Sequence, residues 1–174
     1  MRWIALFSHT GSEIINVSRS LGRVPNLIVT NKSPEKVSPE IKQLSEITYV
    51  PAKLTSREYQ SFLDTDAVVT LHGWMRIVPP DICNRHEIYN LHPGLITRYP
   101  ELKGKDPQSR VLNGNKTYEH IGCVIHEVTS ELDAGRVLME SSTCNDLRTD
   151  ESIYQKLHGI AHGMWVDFLI NKFK

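Results

Sequence analysis

DAVVTLHG, residues 66–73, is the most apolar and β-branched run in the chain, and it predicts a central strand. It leads directly into LHGWMRIVPP, residues 71–80, where Gly73 permits a tight backbone turn. Trp74, Met75, Ile77 and Val78 could then line an apolar slot, or simply pack around a strand-to-helix turn. Upstream, RWIALFS reads as a buried strand feeding a loop. Ile14, Val17 and Leu21, three to four residues apart, predict a helix ending near Gly22. VPNLIVTN, residues 24–31, reads as a second strand. SPEKVSPEIKQLSE places a helix over its second half, ITYVP is a short strand, and SREYQSFL a short helix opened by Ser56.

Downstream, residues 87–93 form another strand, and a helix runs from about Pro107 to Leu112 before a turn at Asn113-Gly114. HIGCVIHEV (120–128) and RVLMESSTC (136–144) are strands joined by a short loop. Ile153, Leu157, Ile160, Ala161, Met164 and Phe168 make the apolar stripe of a last helix, with Thr149 and Ser152 as candidate N-caps. Strands alternate with helices first, and paired strands and a helix follow. The pattern predicts an α/β fold: a Rossmann-like, mostly parallel sheet flanked by helices, with an antiparallel strand addition near the C-terminus. The expected organisation is a single domain over residues 1–174.

The 20 basic residues balance 20 acidic ones, and no like-charge run suggests a nucleic-acid arm, so the expected partner is a small molecule and not a nucleic acid. The N-terminal apolar run, Trp3–Phe7, is too short for a signal-peptide core or a membrane span, and no membrane partner is expected. Cys83, Cys123 and Cys144 are odd in number and widely spaced. They argue against a zinc site or disulfide framework, favour a reducing, cytoplasmic setting, and suggest small buried apolar residues.

Three stretches and three further histidines could carry chemistry. In YNLHPGLITRYPELKG, residues 89–104, strand alternation points Asn90 and His92 the same way, with Leu91 opposed, and Pro93 ends the strand. Two polar groups then share the C-terminal lip of a strand, where open α/β sheets bind ligands; a strand end turning polar as it meets water is the plainer alternative. SHTGSEI, residues 8–14, sits at a strand-to-helix junction where backbone N–H groups can hold an anion. There Gly11 allows close approach, while Ser12 either adds a donor or merely caps the helix. Glu13 suits a helix N-terminus but would compete with a phosphate for the same field. In ELDAGRV, residues 131–137, Asp133 is either an ordinary turn residue or, if the loop folds toward His92, the carboxylate that orients the imidazole. His126 lies within a strand, either behind that site or as a satisfied core histidine. His158 and His162 lie four apart on the last helix with no third ligand evident, which favours a structural pair over a metal site.

In order along the chain, Gly11-Ser12, Gly73-Trp74-Met75-Arg76-Ile77, Asn90-Leu91-His92-Pro93 and Leu132-Asp133-Ala134-Gly135 resemble the motifs of the folate-dependent formyltransferases, most closely the glycinamide ribonucleotide formyltransferase family. The resemblance spans essentially the whole chain. It implies the formyltransferase fold, a purine-biosynthetic one-carbon transferase, and 10-formyltetrahydrofolate as co-substrate with no metal. It implies Asn90, His92 and Asp133 as the catalytic set. The pterin would lie against Leu71, Met75, Arg76, Ile77, Val78, Val128 and Thr129, and a small-molecule amine acceptor would meet Gly11, Ser12 and Glu13. A homodimer is compatible with this reading.

Departures from the family concern the acceptor. The family loop usually reads Gly-Ser-Asn, where this chain has Gly11-Ser12-Glu13; a substrate-touching glutamate of the last helix aligns with Leu157; and KGKDPQ falls in a segment longer than usual. Glu13 therefore predicts that glycinamide ribonucleotide is a poor acceptor and that Glu13→Asn improves its affinity, unless the carboxylate turns away. The alternatives are an amino sugar nucleotide or other amine as acceptor, hydrolysis of 10-formyltetrahydrofolate, or a non-catalytic folate- or nucleotide-binding module. Methionyl-tRNA formyl transfer is disfavoured by the absence of a basic surplus and of an added C-terminal domain.

Overall fold

The computed structural model describes residues 1–174. Its strands are β1 (Arg2–Phe7), β2 (Leu27–Thr30), β3 (Ile47–Tyr49), β4 (Ala67–His72), β5 (Glu87–His92), β6 (His120–Glu127) and β7 (Val137–Cys144). They form one sheet in the order β3-β2-β1-β4-β5-β6-β7. β1 to β5 run parallel; β6 and β7 join antiparallel to β5 and to each other. Every residue of β4 is buried, as its apolar run predicts for a strand covered on both faces.

Six helices cover the sheet: α1 (Ser12–Leu21), α2 (Pro39–Leu44), α3 (Ser56–Gln60), α4 (Pro80–Cys83), α5 (Pro107–Asn113) and α6 (Asp150–Lys172). Alternation along β1 divides the interior into two cores. Trp3, Ala5 and Phe7 join Trp165, Phe168 and Ile14 on one face, while Ile4 and Leu6 join Tyr59, Val69 and Ile82 on the other. Helix caps account for several boundaries. Thr55, one residue before the expected Ser56, forms a capping box with Glu58 at α3. Both candidates at α6 serve together, Thr149 accepting from the Ser152 amide and Ser152 answering the Thr149 amide. β2 begins only at Leu27, after Pro25, which has no N–H for a parallel ladder.

The cysteines differ from expectation. Only Cys123 is buried, with its thiol pKa raised by desolvation and by the charge of Glu13; Cys83 is half-buried and Cys144, near the end of the edge strand β7, is exposed.

The loop between β6 and β7 closes tightly, with Glu127 N–H donating to the Arg136 carbonyl at 3.0 Å. A Cβ on Gly135 would lie 1.7 Å from the Glu127 carbonyl oxygen, so backbone must move to admit one. Gly135→Ala should destabilise the protein by about 1–3 kcal/mol, measured as a shift in urea midpoint. An unchanged midpoint would mean that the loop does not approach β6 as closely as described.

Candidate active site

The chain reverses its winding between β1 and β4, and the loops after β1, β4 and β5 gather at the C-terminal edge of the parallel strands. Asn90 and His92 end β5 on one face, and the β5–β6 register sets Asn90 opposite His126. The β6–β7 loop carries Asp133 back over this edge in a left-handed conformation, φ 50°. Its buried carboxylate stands between two imidazoles, Oδ2 at 3.2 Å from His92 Nδ1 and Oδ1 at 3.4 Å from His126 Nε2. The Gly104 amide donates to Oδ2 at 2.8 Å, and Asn90 Nδ2 lies 3.3 Å from His126 Nε2. Burial raises the Asp133 pKa. The His126 hydrogen bond, the charge of His92 and the Gly104 amide outweigh it and hold the carboxyl below its ordinary value.

His92 is buried with both ring nitrogens engaged. Nδ1 faces Asp133, and Nε2 donates to the Leu102 carbonyl at 2.8 Å. Two acceptors favour a proton on each nitrogen, but burial is the larger influence and pulls the His92 pKa below its usual value. The ring is therefore a stronger acid than a free histidine, although Asp133 itself favours the charged form. Such a ring gives up a proton readily.

The 3-10 turn Pro100–Leu102 and the residues after it supply two of these contacts, and Arg110 of α5 holds them in place. Its guanidinium donates to the carbonyls of Glu101, Leu102 and Lys103 at 2.6, 3.0 and 2.8 Å. Arg110→Ala should lower turnover by roughly tenfold through misplacement of His92. Arg110→Lys should recover only part of the loss, because an ammonium cannot span three carbonyls as a planar fork does. Equal turnover in Arg110→Ala and the parent would show that the turn holds itself.

At the β1–α1 junction, Gly11 is the N-cap of α1 in a left-handed conformation, φ 74°. A Cβ there would meet Ile41 Cδ1 at 2.9 Å, so both the backbone and the space call for glycine. Ser12 is not the cap; it is the first helical residue, its amide taken by Thr10 Oγ1 at 3.3 Å. A polar cleft lined by Ser12, Glu13, Asn16, His158, Gly159 and His162 opens between α1 and α6, with a volume of about 330 Å³. His162 is anchored to Ser20 at 3.0 Å, which makes it a structural member of the wall.

Glu13 departs from expectation. Its carboxylate turns back from the loop and accepts from His72 Nδ1 at 2.6 Å and from Trp165 Nε1 at 3.1 Å. The premise on which glycinamide ribonucleotide was expected to be repelled is therefore absent. Leu157 is 4 % exposed and packs in the core, so the positions of α6 that face the cleft are His158, Gly159 and His162. The roles of His72 and Trp165 have no motif in the sequence, although Thr70 and His72 carry the same polar i, i+2 signature as Asn90 and His92.

The residues expected to face a pterin divide into two sets. Leu71 and Val78 are buried, with Val128 packed against the same core. Met75 and Ile77 are 47 % and 80 % exposed and form an apolar lip. Arg76 lies on the surface, its Nε and Nη2 directed at Asn31 Oδ1 at 3.0 and 2.8 Å when the Asn31 amide nitrogen faces Ser8. Thr129 is exposed and donates its hydroxyl to the Glu131 carbonyl at 3.1 Å. No three His, Cys, Asp or Glu side chains converge in a way that could hold a metal ion, and no helix is long and apolar enough to cross a membrane.

An antiparallel extension of a parallel sheet brings Asn90, His92 and Asp133 together at its carboxyl edge, side chains able to donate to a developing oxyanion and to move a proton. The sequence model described as formyl transferase matches residues 12–169, and the chain belongs to that family. A phosphoribosylglycinamide formyltransferase of Dictyostelium discoideum is 32 % identical over 120 residues, covering 64 % of this chain and 55 % of that protein. A methionyl-tRNA formyltransferase of Thermotoga neapolitana is 28 % identical over 146 residues, covering 80 % of this chain and 44 % of its own length. The chain thus spans about half the length of these curated relatives. Among solved structures, the phosphoribosylglycinamide formyltransferase of Bacillus halodurans superposes with TM-score 0.81 at 21 % identity, over 100 % of this chain and 97 % of that one. That likeness shows the shared fold.

Proposed function

We propose that this protein transfers a formyl group from 10-formyltetrahydrofolate to the primary amine of glycinamide ribonucleotide. The observation that carries the reading is the Asp133 carboxylate held between His92 and His126 beside Asn90, in a chain of the formyl transferase family. The folate is consumed as a substrate. The amine nitrogen bonds to the formyl carbon, the bond from that carbon to N10 breaks, one proton leaves the amine and one reaches N10. Asn90 Nδ2 donates to the oxygen on which negative charge grows, a contribution whose loss typically costs about 3 kcal/mol. His92, acidified by burial and backed by Asp133, carries the proton; to act, its Nε2–H must exchange the Leu102 carbonyl for the reacting group.

The exposed lip of Met75 and Ile77, backed by Leu71, Val78 and Val128 and flanked by Arg76 and Thr129, suits a flat aromatic ring system. The first turn of α1, which follows the Gly11 cap and begins at Ser12, suits the acceptor's phosphate, and the names of the relatives favour glycinamide ribonucleotide as the acceptor. Three free cysteines are compatible with a cytoplasmic setting.

A screen of primary amines with 10-formyltetrahydrofolate, read by release of tetrahydrofolate, tests the assignment. Release that depends on glycinamide ribonucleotide is expected. Release without any amine would make the protein a hydrolase, and folate binding without turnover would make it a binding module.

A further inference from the structure

Glu13 is the second residue of α1, where a carboxylate stands within reach of the amides that would hold an anion. An unrestrained side chain there would occupy or repel whatever anion approached. The structure instead withdraws it into a buried hydrogen-bonded chain built from three separate elements. Trp3 Nε1 of β1 donates to Thr70 Oγ1 of β4 at 2.8 Å, and Thr70 Oγ1 meets His72 Nε2 at 2.8 Å. His72 Nδ1 then meets Glu13 at 2.6 Å, and Trp165 Nε1 of α6 supplies a second donor to the same oxygen at 3.1 Å.

Indole N–H groups can only donate and a carboxylate can only accept, which fixes the direction at both ends of the chain. The Trp3 N–H points to Thr70, Thr70 pairs with His72 Nε2, and the His72 Nδ1–H points to Glu13. Thr70 Oγ1, both ring nitrogens of His72 and Glu13 Oε2 all have partners within it. The His72 side chain is 1 % exposed and its ring lies 4.9 Å from that of Trp165, centroid to centroid, so the donors cannot swing away. Glu13 is 20 % exposed and still borders the cleft that Ser12, Asn16, His158 and His162 line. A small rotation of an unheld side chain would return its charge to that cleft.

We propose that His72 and Trp165 are specificity-determining positioning residues: by holding the Glu13 carboxylate against β4 and α6, they keep the first turn of α1 open to an anionic group on the acceptor. The inference rests on the reading that the acceptor's phosphate meets that turn. Neither residue touches the acceptor; both act through Glu13.

The test compares glycinamide ribonucleotide with its dephosphorylated riboside in the unmodified protein, in His72→Phe and in the double variant His72→Phe/Glu13→Gln. Phenylalanine keeps the ring against Trp165 but removes the donor. His72→Phe should raise the KM for the ribonucleotide by about tenfold, which is about 1.4 kcal/mol of binding, and leave kcat, the folate KM and the riboside KM within about twofold. Adding Glu13→Gln should return the ribonucleotide KM to within about threefold of the original, because no charge is left to release. Trp165→Phe removes the other donor and should act in the same direction, which provides the test if His72→Phe does not fold. Equal KM values for ribonucleotide and riboside in the unmodified protein would overturn the phosphate reading and the proposal with it. Clear discrimination between them that neither variant alters, or a loss that Glu13→Gln does not repair, would overturn the proposal alone.

Discussion

His92→Ala is expected to lower formyl transfer at saturating substrates by about 100-fold or more, with the KM for 10-formyltetrahydrofolate changed little. The reason is the position of the ring. It is buried at the end of β5, backed by Asp133 on one nitrogen and bound to the Leu102 carbonyl through the other, so it contributes little surface to substrate binding and most of its effect to proton movement. Asn90→Ala should give a loss of similar size, because its amide is the other donor at the same lip. Steady-state kinetics on both variants decides the matter. Equal losses in folate binding and in turnover would place these side chains in ground-state binding, and unchanged turnover would remove them from the reaction.

Asp133→Asn should also lower turnover by about 100-fold, and it should move the pH profile. The carboxylate raises the His92 pKa against the larger, opposing effect of burial. Without its charge the ring's pKa falls further, so the alkaline limb of kcat/KM, along which the ring loses the proton it must donate, should shift to lower pH. Stability has its own sign. The folded-state pKa of Asp133 is lowered from 3.8, so its contribution is fully present at neutral pH and disappears as pH falls through the depressed value. Asp133→Asn should therefore be less stable than the parent at pH 7, with the gap closing below about pH 4. An unshifted limb would take Asp133 out of the proton path.

Much of this arrangement is legible along the chain. Strand alternation places Asn90 and His92 on one face, Pro93 ends the strand there, and the β-branched run at 66–72 marks the fully buried centre of the sheet. Harder to read are contacts that depend on tertiary closure. Nothing in ELDAGRV says which imidazole Asp133 will meet, because the loop's return over β5 follows from the β6 pairing and from the close approach of Gly135 to Glu127. The side-chain direction of Glu13 is hidden from the sequence for the same reason. Its place at the start of a helix is local information, whereas its partners lie 59 and 152 residues away. The turn at Pro100–Leu102 and its Arg110 clamp fall in a polar stretch whose backbone carbonyls leave no signature in residue type.

The most direct measurement follows the transferred carbon. With 10-formyltetrahydrofolate carrying a 13C-labelled formyl group and glycinamide ribonucleotide as acceptor, mass spectrometry should find the label in an N-formylated acceptor, formed in step with tetrahydrofolate release and nearly abolished in His92→Ala. Label recovered only as free formate, or acceptor formylated equally well by His92→Ala, would contradict the account.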